Sequence, residues 1–97
     1  MYLVEVFLPQ NGKASEHYPQ VRNELTQLFG GLTAFTQAPA EGFWKGNGGD
    51  TERDKIVVVE VMIETVDRDW WRLYRRSLEK RFDQESILVR MTPCDTL

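Results

Sequence analysis

Three charged residues could form one row across a β-sheet: Glu5, Glu60 and Arg90. Each stands between two apolar residues, with the two-residue period that is typical of a strand. If the three strands are neighbours and their registers agree, the arginine can pair with Glu5, and the two carboxylates face each other. Two carboxylates that repel one another suit a general base, and the arginine could then stabilise an anion. The simpler interpretation is a structural ion pair inside a subunit interface.

The other candidates for chemistry are single residues. His17 is the only histidine, so the composition offers no histidine cluster for a metal, and we expect none. It could transfer a proton or gate a ligand, although a solvated position just before a helix explains it more simply. Haem would need His17 as its axial ligand, and this residue is predicted off the open sheet face, so we expect no cofactor. Cys94 is the only cysteine, and the adjacent Asp95 disfavours a nucleophilic thiolate.

Charge and composition narrow the range of functions. The net charge of −3 gives no support for general nucleic-acid binding. Six basic residues within 68–81 could meet an anionic partner, but a solvated helix face is the simpler explanation. Residues 56–61 lack the aromatic–glycine motif of RNA-recognition domains, so we expect no nucleic-acid partner.

No apolar run approaches the roughly 20 residues that span a bilayer. We therefore expect no membrane association and, with a single cysteine, a cytoplasmic location.

Hydrophobic period divides the chain into six elements within one domain, residues 1–97. Asp67 can cap the second helix, and Gly30 can end the first. The glycines and six charged residues of 45–55 indicate an exposed, mobile hairpin tip. The predicted strands are 2–8, 32–37, 56–64 and 86–92, and the predicted helices begin at about Pro19 and after Asp67. Their apolar stripes are Tyr18, Val21, Leu25 and Leu28 in the first, and Trp71, Tyr74, Leu78 and Phe82 in the second.

This order, β-α-β-β-α-β, predicts an α+β ferredoxin-like plait. Each crossover through a helix should be right-handed, which puts both helices on one face of a four-stranded antiparallel sheet with strand order 4-1-3-2. The helical face should receive one set of alternating apolar residues. They are Val4, Val6, Val57, Val59, Val61, Ile63, Ile87, Val89 and Met91.

The opposite, open face of the sheet is unusually apolar for a surface that meets only water. Besides the charged row it should carry Leu3, Phe7, Val58, Met62, Leu88 and Phe35. Such a face predicts a homodimer formed through it, with a small apolar ligand as an alternative occupant. The residues expected to contact that ligand are Phe7, Phe35, Trp44, Val58 and Met62.

Two short motifs carry a resemblance. The run 81–88, RFDQESIL, resembles one in a family of small uncharacterised bacterial ferredoxin-like proteins, and Gly42-Phe43-Trp44-Lys45 is similar to their glycine-x-tryptophan tail. The resemblance implies a fold and no established activity. More distantly, the layout is similar to that of dimeric α+β-barrel proteins, in which two sheets meet open face to open face. That family includes cofactor-independent monooxygenases and haem-binding proteins, but no catalytic motif of either kind matches this sequence.

Two functional hypotheses follow from the sequence. The first is a homodimeric interaction or small-ligand-binding protein without catalytic activity. The second is a cofactor-independent enzyme, similar to those monooxygenases, that acts on an apolar or aromatic molecule held on the open face. Glu5 or Glu60 would then be the base, and Arg90 would stabilise the anion. A pocket left between two sheets would favour the enzyme, and a dry, filled interface would favour the binding protein.

Overall fold

The computed structural model describes residues 1–9, 16–31, 33–45 and 51–97, with backbone alone for 33–45 and 51–55. Six elements follow one another in the predicted order. They are β1 (Tyr2–Pro9), α1 (Tyr18–Phe29), β2 (Thr33–Lys45), β3 (Thr51–Ile63), α2 (Arg68–Arg81) and β4 (Val89–Pro93). The predicted α+β class with two helices and an antiparallel sheet is confirmed. The pair Asn11-Gly12 is typical of a turn in sequence, and it lies outside the described residues.

The strands lie in the order β2-β3-β1-β4, and every neighbouring pair is antiparallel. β1 is an inner strand, because it pairs with β3 on one side and with β4 on the other. Val4 therefore lies opposite both Val61 and Met91. Since β1 and β2 are consecutive in sequence but β3 lies between them in the sheet, α1 has to cross over β3.

One face of this sheet forms the core, together with both helices. The strands contribute Val4, Val6, Leu8, Val57, Val59, Val61 and Ile63, all buried. Val21 and Leu25 of α1 and Leu78 of α2 are fully buried against them. The predicted core is confirmed, with the qualification that Val89 and Met91 on the edge strand are only partly buried. Each large aliphatic side chain buried here stabilises the fold by about 1.5–3 kcal/mol before conformational entropy is counted.

The helix ends follow from local chemistry. Pro19 stands in the first turn of α1, and Gly30 ends the helix in the left-handed conformation at φ 79°. Asp67 caps α2, because its side chain accepts a hydrogen bond from the backbone N–H of Trp70 at 3.1 Å. The predicted stripe of α1 is wrong at Leu28, which is 58% exposed. Phe29 takes its place because its ring stacks on Trp71 with a centroid distance of 5.3 Å.

The β2–β3 hairpin is longer than predicted. β2 continues to Lys45 and β3 begins at Thr51, so the exposed tip predicted for 45–55 is too wide, and its centre, 46–50, lies outside the described residues. β1 pairs with β3 only from Ile56 onward. Within the described part of the chain, residues 51–55 pair with β2 alone, as a two-stranded ribbon. The register of β2 shifts between Phe35 and Ala40, where Pro39 has no N–H to donate.

The last strand begins later than the predicted Ser86. The backbone N–H of Ile87 donates to Oε2 of Glu79 at 3.0 Å. A side chain of α2 therefore binds the backbone of the segment that precedes β4. β4 itself runs from Val89 to Pro93. Beyond it, the backbone N–H of Cys94 donates to the carbonyl of Met1 at 3.0 Å. This hydrogen bond ties the residue that follows β4 to the residue that precedes β1.

Candidate functional site

The charged row on the open face is a product of strand register. Glu5 lies opposite Glu60 of β3 and opposite Arg90 of β4. The guanidinium Nε of Arg90 donates to Oε1 of Glu5 at 2.8 Å, as the alternation of β1 and β4 predicts. The Glu5 side chain is 15% exposed, whereas that of Arg90 is 57% exposed. The carboxylate is thus largely covered, and much of the guanidinium remains open to a partner.

A neighbouring aromatic ring also positions Arg90. The guanidinium carbon lies 4.9 Å from the ring centroid of Phe7, within the range of a cation–π contact. Phe7 is two residues from Glu5 on β1, so it shares the open face with that carboxylate. Arg90 is therefore held by a carboxylate and an aromatic ring while its outer side remains exposed.

Glu60 brings a second carboxylate to the row. Directly opposed residues in an antiparallel pair have Cβ atoms about 4.5–5.5 Å apart, so Glu5 and Glu60 are close neighbours on this face. The charged row therefore contains one positive and two negative side chains. This arrangement can accept hydrogen bonds or a proton, or it can meet a complementary positive charge.

Apolar side chains surround the row. Phe7 lies opposite Val58, and Leu3 lies opposite Met62, which places the two pairs on either side of the charged row. Met62 is 40% exposed, and its Sδ lies 3.7 Å from Sγ of Cys94. The structure therefore brings together Phe7, Val58 and Met62, three of the five residues that the sequence assigns to a ligand.

The other predicted site residues are placed differently. Phe35 is paired with Val58 through the backbone, so it occupies a neighbouring register position in β2. Trp44 is paired with Glu52, eight residues before Glu60 along β3, which corresponds to about 26 Å. Trp44 therefore does not join the charged row.

His17 belongs to the helical side of the sheet. It is the N-cap residue of α1, and its ring meets Phe82 edge to face with centroids 5.7 Å apart. Phe82 is 3% exposed and belongs to the core. The packing of His17 on the core separates it from Glu5, Glu60 and Arg90, as its position before the first helix predicts.

Sequence reasoning missed a polar cluster that joins the two helices. Arg81 donates to both carboxylate oxygens of Glu24, and the hydroxyl of Tyr74 donates to Oε1 of Glu24 at 3.2 Å. The hydrogen bond from Arg81 lowers the pKa of Glu24 below its usual value. Burial raises the pKa of the Tyr74 phenol, and the charge of Glu24 raises it further. The position of Glu24 directly before the buried Leu25 indicated that its side chain lies at the edge of the core. Its partners are 50 and 57 residues away in sequence, so no local pattern could identify them.

Comparison with solved structures supports the fold. The chain is similar to CutA1 from Pyrococcus horikoshii, with a TM-score of 0.60 and 14% identity over 100% of this chain and 86% of that one. It is also similar to a phage SAM lyase, with a TM-score of 0.60 and 12% identity over 94% and 78% of the two chains. The fold is ferredoxin-like.

A third structure places the same ferredoxin-like fold inside a larger protein. A Bacillus cereus protein related to NIF3 superposes with a TM-score of 0.64 and 19% identity, covering 98% of this chain but 26% of that one. At such identities the likeness shows the fold alone. No protein-family model and no curated protein matches the chain.

The ferredoxin-like fold leaves the charged row on the face that its helices do not cover. Among the described residues, no group of three metal-ligating side chains comes together. Neither α1 nor α2, the helices within the described part of the chain, has the length and apolar character needed to cross a membrane.

Proposed function

We propose that this chain is a small interaction protein that forms a homodimer through its open sheet face and holds a small apolar ligand there. One observation carries the proposal. The open face presents Phe7 and Val58 half-buried, and Met62 and Leu88 exposed at 40% and 55%, while both helices pack on the other side. Apolar patches of this kind mark surfaces that meet a partner.

Charge complementarity supports a second copy of the chain as that partner. Across the sheet the row runs Arg90, Glu5, Glu60. A two-fold axis that passes through Glu5 reverses the row of the second copy, because residues exchange roles in an isologous interface. The exposed guanidinium of each copy then meets the Glu60 carboxylate of the other. The two Glu5 carboxylates face each other, and each keeps Arg90 of its own chain as its partner.

The mass in solution tests the dimer. Light scattering at micromolar concentration should give about twice the chain mass of 11.3 kDa. Met62→Lys should return the protein to a monomer, because a dimer would bury an unpaired ammonium group. Leu73→Lys is the matched control, since Leu73 is 64% exposed on α2 and should tolerate the same change. A monomer in the unsubstituted protein, or equal masses for the two variants, would overturn the proposal.

The opposed carboxylates favour a second candidate, a cofactor-independent oxygenase of the dimeric α+β-barrel type. Glu60 or Glu5 would remove a proton from an electron-rich aromatic substrate, which itself supplies the electrons that reduce oxygen. Oxygen uptake with a hydroquinone should then fall sharply in Glu60→Gln, compared with the unsubstituted protein at concentrations where both have the mass of a dimer. Equal uptake by Glu60→Gln and the unsubstituted protein would exclude this activity.

A further inference from the structure

A concave site lies on the helical side of the sheet, between α2 and the edge strand β4. Its volume is about 180 Å³. The sheet lines it with aliphatic side chains of β1 and β4, and α2 lines it with one aromatic and three basic side chains. These residues are Val4, Val89 and Met91 from the sheet, and Arg68, Trp71, Arg72 and Arg75 from the helix. The cavity is thus lined by aliphatic residues and by three arginines of α2, on the opposite side of the sheet from Glu5 and Glu60.

The acidic residues near these arginines leave their charge incompletely neutralised. Asp69 accepts from Nη1 of Arg72 at 3.2 Å, but both side chains are mostly exposed. Such exposed pairs hold their partners weakly. Arg68 adds a third positive charge to the same helix face. Arg90 also borders the cavity, although its guanidinium is bound to Glu5 on the open face.

Arg75 makes no hydrogen bond through its Nε to the neighbouring carboxylate. Its Nε is buried and has no hydrogen-bond partner among the described residues. The nearest carboxylate oxygen is Oε2 of Glu79 at 3.8 Å, beyond hydrogen-bonding distance, and that oxygen accepts from the backbone N–H of Ile87. This Nε is itself closed to solvent, but the Arg75 side chain is 43% exposed, so the outer part of its guanidinium can bind an anion.

We propose that this cavity binds the carboxylate of a small apolar acid about the size of benzoate. A cavity of about 150 Å³ accommodates a benzene molecule, so the apolar part is limited to a ring or a short branched chain. Sites for larger organic ligands measure about 300–1,000 Å³. The arginines bind the carboxylate through paired, charge-assisted hydrogen bonds, and Val89, Met91 and Trp71 contact the apolar part.

Titration of the isotope-labelled protein with benzoate, followed by NMR, tests this site. Saturable shifts should appear at residues 68–75 and 89–91, with a dissociation constant on the order of 1 mM for so small a ligand. Arg75→Gln and Arg68→Gln should each weaken binding by about tenfold. Arg76→Gln is the matched control, because Arg76 is an exposed arginine of α2 that does not line the cavity, and its affinity should be unchanged.

Two further probes separate the charged and the apolar parts of the recognition. Benzyl alcohol should bind at least tenfold more weakly than benzoate because it carries no charge for the arginines. Inorganic phosphate should also bind more weakly because it fills none of the apolar space. Absence of saturable shifts, an equal loss in Arg76→Gln, or equal binding of benzyl alcohol or phosphate would each overturn the proposal. Spectra of the free variants verify that each one is folded, and none of these outcomes depends on the dimer.

Discussion

Replacing Glu24 by glutamine tests the cluster that joins the two helices. The ionised carboxylate accepts two hydrogen bonds from Arg81 and one from Tyr74. A hydrogen bond to a charged group contributes about 1.5–3 kcal/mol, against about 0.5–1.5 kcal/mol for a neutral one. The side chains of Glu24 and Arg81 are 32% and 23% exposed, so solvent screening reduces this difference.

We therefore expect Glu24→Gln to lower the free energy of unfolding by about 1–2 kcal/mol at pH 7. For a domain of this size, each kcal/mol corresponds to a fall of about 4–8 °C in Tm. Thermal and urea unfolding followed by circular dichroism measure both quantities. Glu64→Gln is the control, because Glu64 is exposed and should lose little stability.

The loss of stability should also depend on pH. Arg81 lowers the pKa of Glu24 in the folded protein, so between the folded and unfolded values the folded state binds fewer protons than the unfolded state. The contribution of this carboxylate is therefore complete above the unfolded value of about 4.3, and it disappears as the pH falls through the lower folded value. The difference between Glu24→Gln and the unsubstituted protein should shrink over that range. A difference that persists at the lowest pH, or one that is absent at pH 7, would refute the reasoning.

Two more predictions concern the backbone and the charged row. Gly30→Ala should lower the free energy of unfolding in urea by about 1 kcal/mol, because alanine disfavours φ 79°. Gly31→Ala should be nearly neutral, since an added methyl group meets nothing within 4 Å there and no positive φ strains it. Equal losses in the two variants would contradict this account. A double-mutant cycle with Arg90→Ala and Glu5→Gln should give a coupling energy of about 0.2–1 kcal/mol in the dilute monomer and more in the dimer, where the pair is covered. A coupling independent of protein concentration would argue against coverage of the row.

Much of the fold could be predicted because alternation and helical period record which side of each element is buried. The alternation within β1 alone identifies Val4 and Val6 as core residues. The helical period of α2 alone identifies Trp71 and Leu78, and all four residues are buried. The pairing of Arg90 with Glu5 also followed, since the order of the elements makes β1 and β4 neighbours. These inferences needed only local pattern and topology.

The remaining features depend on contacts that no local pattern records. The β2–β3 ribbon extends beyond the part of β3 that pairs with β1, and the many charged residues of this extension make its sequence resemble that of a loop. Phe29 replaces Leu28 because an aromatic partner on α2 is available to stack against it. The Glu24 cluster and the cavity beside β4 depend on the spacing between elements. Sequence reasoning could list their residues but could not bring them together.

Intermolecular NMR contacts test most directly whether a second copy covers the open face. In a mixture of isotope-labelled and unlabelled protein, the methyl group of Met62 should give intermolecular NOEs to Phe7, Val58 or Leu3 of the other copy. In Met62→Lys, which lacks this methyl group, the remaining intermolecular NOEs among Leu3, Phe7 and Val58 should vanish, whereas in Leu73→Lys all of these contacts should persist. Intermolecular NOEs that arise from α2 instead, or none at concentrations where the mass is that of a dimer, would contradict the open face as the site of association.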